Sequence, residues 1–306
     1  MTISQFIQKI SMTVAGTAIV ALSSTTTAQA ISITPTSNGN DLVEEILGSG
    51  ITIAPNSIKY TGAAGASGLF TDGLSSGIGI DSGIILTTGS AVDAEGPNYS
   101  DQKTTRNGLP GDPDLDELIP GYSTQDATIV EFDFETEGGN VFFNYVFASE
   151  EYIEWTNSKY NDVFGFFLNG ENVALIPGTS TPVAINTVNG GEPLGTNASY
   201  PEYFNNNDLD NGGGHFDIEY DGFTNVFTVK ALGLEAGTHR MKLAIADVGD
   251  QQWDSAVFIE AGSFSDMSDH APELLQDVPE PSVLIGLFAV GFAGSLLRKK
   301  LIKSDN

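Results

Sequence analysis

Residues 139–170 constrain this chain more than any other stretch. From Gly139 to Ser149, Val141, Phe143, Tyr145 and Phe147 alternate with Phe142, Asn144, Val146 and Ala148. Successive side chains on a strand point to opposite faces, and here both faces are largely apolar. That pattern predicts a central strand covered on both sides. Val163 to Leu168 reads the same way. Between the two runs lie Glu150, Glu151, Glu154, Asn157, Asn161 and Asp162, a dense set of oxygen donors suspended between rigid strands. Function beyond folding is expected to begin there.

The rest of the body is written in short apolar runs punctuated by Gly, Asn, Asp and Pro. Candidate strands are Ile51 to Ala54, Ser57 to Thr61, Ile78 to Ile80, Gly83 to Thr88 and Ala127 to Phe134. Beyond the central pair follow Val173 to Ile176, Val183 to Val188, His215 to Tyr220, Asn225 to Ala231, Arg240 to Ala246 and Ala256 to Ala261. Asn40-Asp41 ahead of Leu42, Val43, Ile46 and Leu47, with Gly48 after them, predicts one short capped helix. The expected fold is therefore all-β, an antiparallel β-sandwich or jelly-roll-like domain with one short N-terminal helix. Two long polar loops, Ala91 to Asp126 and Asn189 to Asn211, are candidates for functional segments.

The 306 residues include no cysteine, which removes disulfides, thiolate catalysis and Cys-based zinc sites together. Acidic residues number 40 against 12 basic ones. Five of the basic residues (Lys9, Arg298, Lys299, Lys300 and Lys303) sit in the two ends. A body this acidic repels nucleic-acid phosphates and anionic membrane surfaces.

The ends carry addresses. Lys9, the apolar run Met12 to Leu22 and the small-residue site Ala28-Gln29-Ala30 predict a secretory signal peptide over residues 1–30, removed by signal peptidase. Residues 31–266 form the expected domain and 267–277 a linker. The segment 278–303 opens with Val278-Pro279-Glu280-Pro281. It continues as an uncharged apolar run from Ser282 to Leu297 and reaches Arg298-Lys299-Lys300. That run is slightly short of the roughly 20 residues that span a bilayer. The basic cluster would remain cytoplasmic, with the body outside.

Hard divalent cations take about six to eight oxygen ligands. Glu150, Glu151, Asn161 and Asp162 flank one strand–loop–strand unit, while Asp247, Asp250 and Asp254 belong to a second acidic loop between strands. If the two loops meet, these seven residues form a candidate Ca2+ site; otherwise they cap turns and face water. Asp208 to Glu219 approaches a calcium-loop template but lacks the fifth-position ligand and a preceding helix. Asp112, Asp114, Asp116 and Glu117 read as a solvated loop. Tyr152, Trp155, Tyr160 and Trp253 lie in or near the acidic loops, where rings either stack on sugars or anchor the loops. A glycosidase pair drawn from Glu150, Glu151 and Glu154 is the enzymatic alternative. Adjacent strand residues face opposite ways, which disfavours Glu150 with Glu151. His215, His239 and His270 are scattered, and no serine-hydrolase or zinc-protease frame is present.

The tail, by its Pro279-Glu280-Pro281, apolar run and basic end, resembles the PEP-CTERM sorting signal of bacteria that encode an exosortase. The resemblance implies transient membrane insertion through the C-terminal helix and processing by an exosortase-type enzyme near the Pro-Glu-Pro. The body resembles the choice-of-anchor L domain family. The residues that carry this are Gly83-Ile84-Ile85-Leu86-Thr87-Thr88-Gly89, Phe147-Ala148-Ser149-Glu150-Glu151-Tyr152, Asn161 to Phe167, Val173 to Thr179, and Lys242 to Asp247 through Asp254 to Phe258. That family implies a secreted, β-rich surface domain with no established enzymatic activity. The expected function is accordingly a cell-surface or matrix protein, adhesive or binding extracellular polysaccharide, with calcium as its candidate cofactor. The alternatives are a carbohydrate-active hydrolase and a purely structural coat.

Overall fold

A computed structural model of the protein describes residues 30–267. Ala28 and the tail from Val278 through Pro279, Glu280 and Pro281 to Arg298, Lys299 and Lys300 lie outside the described residues. Within them no helix is long and apolar enough to cross a membrane.

Among the described residues fourteen strands follow in order: β1 (Ser32–Pro35), β2 (Thr52–Ile53), β3 (Lys59–Thr61), β4 (Ser67–Thr71), β5 (Gly83–Thr87), β6 (Thr124–Thr136) and β7 (Gly139–Ser149). Then come β8 (Val163–Leu168), β9 (Glu171–Asn172), β10 (Phe204–Asn206), β11 (Gly222–Thr224), β12 (Phe227–Leu234), β13 (Gly237–Val248) and β14 (Ser255–Glu260). They form two antiparallel sheets. The larger runs β1-β4-β5-β14-β7-β11-β10, with β12 also on β7; the smaller runs β2-β6-β13-β8-β9, with β3 also on β6. The expected all-β sandwich is the fold observed.

The central stretch earns its double apolar pattern. Val141, Phe143, Tyr145 and Phe147 of β7 enter the core between the sheets. There Phe143 meets Phe166 at 5.0 Å and Phe147 stacks on Phe164 at 5.1 Å between ring centroids. Val146 and Ala148 enter a second apolar layer on the outer face of the larger sheet, with Ile33, Phe70, Ile78, Ile80, Tyr220 and Phe258. A third layer covers the outer face of the smaller sheet. Its lid is a short helix over Pro113–Leu118, whose N-cap Asp112 accepts the backbone N–H groups of Asp114 and Leu115. Lys242 Nζ donates to Asp112 at 2.6 Å and Asp114 at 2.7 Å, clamping that helix onto β13. The segment read as a solvated acidic loop is therefore a capped, packed helix.

Other departures have local causes. The N-terminal helix spans Gly39–Ile46 and is capped by Asn38, two residues before the expected start. Ile78 to Ile80 is no strand, because Gly77 and Gly79 adopt φ of +99° and +90° and turn the chain after a helical turn at Gly73–Ser76. The isoleucines are nonetheless buried. Val173 to Val188, interrupted by Pro177 and Pro182, keeps only isolated bridges such as Leu175 with Pro182, and His215 to Tyr220 only that of Ile218 with Glu95.

Candidate functional site

Register places acids of three neighbouring strands side by side. Ser149, the last residue of β7, pairs with Ser255 of β14 on one side and with Gly222 of β11 on the other. One step beyond the ladder, Glu150 therefore faces Asp254 and Asp221. The backbone confirms the first pairing, since the Glu150 N–H donates to the Asp254 carbonyl at 3.1 Å. Directly paired residues share a face. By register Glu150, Asp254 and Asp221 extend the outer face that carries Val146 and Ala148.

Each of these carboxyls is buried, at 0 % exposure for Glu150 and Asp221 and 2 % for Asp254. Asp221 Oδ1 accepts Asn98 Nδ2 at 2.7 Å, and Asp254 Oδ2 accepts the Thr105 N–H at 2.8 Å. The other oxygen of each meets no partner, and neither oxygen of Glu150 meets one. Buried polar atoms are almost always bonded, so four bare carboxylate oxygens on three neighbouring strand ends need a reason. Burial, followed by the charges of Asp221, Glu219 and Asp254, pushes the Glu150 carboxyl well above the ordinary carboxylate range. Burial also lifts Asp221 and Asp254 to about 8 each. Lys103 is held by Asp93 at 3.6 Å.

The smaller sheet repeats the device. Ala246 pairs with Val163, which sets Asp247 against Asp162 one residue beyond. Both oxygens of Asp162 are engaged, by the Val248 N–H at 2.8 Å and Ser255 Oγ at 2.7 Å. Asp162 thus ties the two sheets together at this edge. Asp247 keeps one bare oxygen, as does Glu151. Burial raises Glu151 to about 10, with Asp162, Asp250 and Glu154 adding to it.

The structure thus brings the two acidic loops to one edge of the sandwich, with different duties for the expected ligands. Glu150, Glu151, Asp247 and Asp254 present unpartnered buried oxygens. Asn161 is corrected to a brace, its Oδ1 accepting the Asn186 N–H at 2.8 Å, and Asp162 likewise. Asp250 closes a turn by accepting from Gln252. Asp221 escaped the sequence reading, and Glu219 entered it only as the last acid of the calcium-like loop; the signal for Asp221 was Asp221-Gly222 immediately ahead of an apolar strand. Asp208, in the calcium-like loop, already accepts the N–H groups of Asp210 and Asn211. Among the described residues no three acids or imidazoles are drawn up around one point as ready metal ligands.

Beside the acids lies a cleft of about 240 Å³ lined by Glu151, Trp155, Tyr160, Asp250, Gln252 and Trp253. Trp155 meets Tyr160 at 4.8 Å and Trp253 at 5.5 Å, edge to face, so rings from both acidic loops build one wall. Tyr152 is corrected: it is fully buried, packs on Phe204 at 4.8 Å, and donates its hydroxyl to the Val188 carbonyl at 2.7 Å. It offers no face to a ligand.

Comparison with known families matches residues 27–265 to the choice-of-anchor L domain and residues 277–300 to the PEP-CTERM protein-sorting motif. No curated protein and no solved structure matches the chain.

Proposed function

This chain belongs to the choice-of-anchor L domain family and carries a PEP-CTERM motif, which makes it a secreted, exosortase-sorted surface protein; from that premise we propose that its exported body binds extracellular polysaccharide in the Trp155–Trp253 cleft. The observation that carries this is the meeting of two loops' aromatic rings over a lining of Glu151, Asp250 and Gln252. Rings supply flat apolar faces for the C–H side of a sugar, while carboxylate and amide groups accept and donate to its hydroxyls. The acidic body repels anionic polymers, so neutral polysaccharides are the favoured class. In this reading the tail positions the domain at the envelope through transient membrane insertion, and the cleft makes it adhesive.

An array of neutral and anionic glycans tests this directly. The full chain is expected to retain neutral glycans, and Trp155→Ala to weaken binding roughly 30-fold, the effect of losing an anchor worth about 2 kcal/mol. An array with no binding, or Trp155→Ala binding as tightly as the parent, overturns the proposal. Release of reducing sugar in the same wells would instead favour a hydrolase working through the Glu150–Glu154 loop.

A further inference from the structure

We infer that the buried carboxylates of Glu150, Asp221 and Asp254 form a calcium site on the outer face of the larger sheet, separate from the polysaccharide cleft. Three observations support it. The ladder ends place the three side chains next to one another from three strands, so their proximity is fixed by the backbone and not by flexible loops. Asp221 and Asp254 are each held by one oxygen, through Asn98 and the Thr105 N–H, which leaves the other oriented and bare. Glu150 leaves both oxygens bare and is wholly buried.

The donor set selects the ion. It is made of carboxylate oxygens with no imidazole or thiolate, which favours a hard cation over zinc or copper. Glu150 can serve as a bidentate ligand, and the remaining positions suit amide oxygens and water. Such an irregular, partly bidentate shell suits Ca2+ better than Mg2+, which demands near-ideal octahedral geometry. The three carboxylates are not drawn around one point in the structure, so binding turns their side chains onto the ion while the strand ends hold the three residues side by side. Without a cation, the same charges share protons, and that is the competing state.

The test uses the full-length chain, stripped with chelator, at pH 8. Calcium is titrated by calorimetry, and Tb3+ luminescence sensitised by nearby tyrosine and tryptophan is competed with Ca2+. The expected result is saturable binding that Glu150→Gln and Asp221→Asn each weaken by at least about 100-fold, beyond the usual loss of an outer-shell partner. Asp210→Asn, in the exposed calcium-like loop, is expected to stay within about threefold of the parent. Circular dichroism confirms that each variant is folded. No saturable binding in the parent chain overturns the inference. So does Glu150→Gln binding within tenfold of the parent, or Asp210→Asn abolishing binding. No glycan enters either titration, so this outcome is read separately from that of the array.

Discussion

Without calcium the protein is expected to melt progressively lower as pH rises from 5 to 8, and calcium is expected to restore most of the loss at pH 8. The sign follows from where the protons go. Unfolded, these carboxyls titrate near 4. Folded and metal-free, burial holds Asp162 at about 7 and Asp221 and Asp254 at about 8, with Glu151 higher still at about 10. Below pH 4 both states are protonated and nothing is gained or lost. Between about pH 4 and 8 the unfolded chain releases protons that the folded chain retains, so stability falls with rising pH. Neighbouring carboxylates repel one another and do not all ionise together, so a net difference of one proton is a conservative count. Over three pH units that is about 4 kcal/mol, a large share of the 5–15 kcal/mol that holds a typical domain. For a body of this size the fall in melting temperature is about 10 °C. Calcium at about 100 times its dissociation constant returns about 2.7 kcal/mol per site, provided protons no longer compete. At pH 5, where they do, its effect shrinks. Scanning calorimetry in chelator and in calcium across this range reads both arms. A melting temperature that is flat or rising from pH 5 to 8 in chelator would sink the assignment of these acids as buried and unneutralised.

Gly83→Ala is expected to be among the most damaging single methyl groups that can be added to this chain. A Cβ at Gly83 would stand 1.9 Å from the Ile259 carbonyl oxygen and 2.9 Å from the Ala261 nitrogen. Both are backbone atoms at the β5–β14 pairing, so relief requires opening the ladder that also positions Asp254. The expected loss is about 4 kcal/mol, at the upper end of what single substitutions do. Gly170, at φ +91° in the β8–β9 turn, has nothing within 4 Å of an added Cβ. Gly170→Ala therefore carries only backbone strain, about 1 kcal/mol. Gly83 also sits at positive φ, +154°, so urea unfolding of the two variants reads what crowding adds to strain, and equal losses would contradict the close approach of β14 to Gly83.

The same glycine shows where sequence reading reached and where it stopped. Gly83 opens an apolar run that reads as a strand, and Gly89 follows it. Their real constraint is tertiary: a Cβ on Gly89 would fall 1.6 Å from Asp254 Oδ2. The two central strands were legible because their double apolar pattern has no other folded use. The meeting of the acidic loops was legible only as a condition, because it depended on β13 pairing beside the central strands, and β13 does pair with β8. Asp221 was not, because register between distant strands is set by packing that a single sequence does not display. Tyr152 misled for a related reason: a ring beside an acidic loop looks exposed until the chain turns it inward onto Phe204. The helix over Pro113–Leu118 carried its own signal, Asp112-Pro113 at the start, but the dense acids around it suggested solvent when the partner was Lys242 of β13.

The calcium assignment is tested most directly by anomalous diffraction from crystals of the protein grown with Tb3+ at pH 8. A peak bounded by Glu150, Asp221 and Asp254, with the Glu150 carboxylate turned onto it, is the predicted result. A map with no peak there, and with the Glu150 and Asp221 carboxyls drawn together over a shared proton, would contradict it.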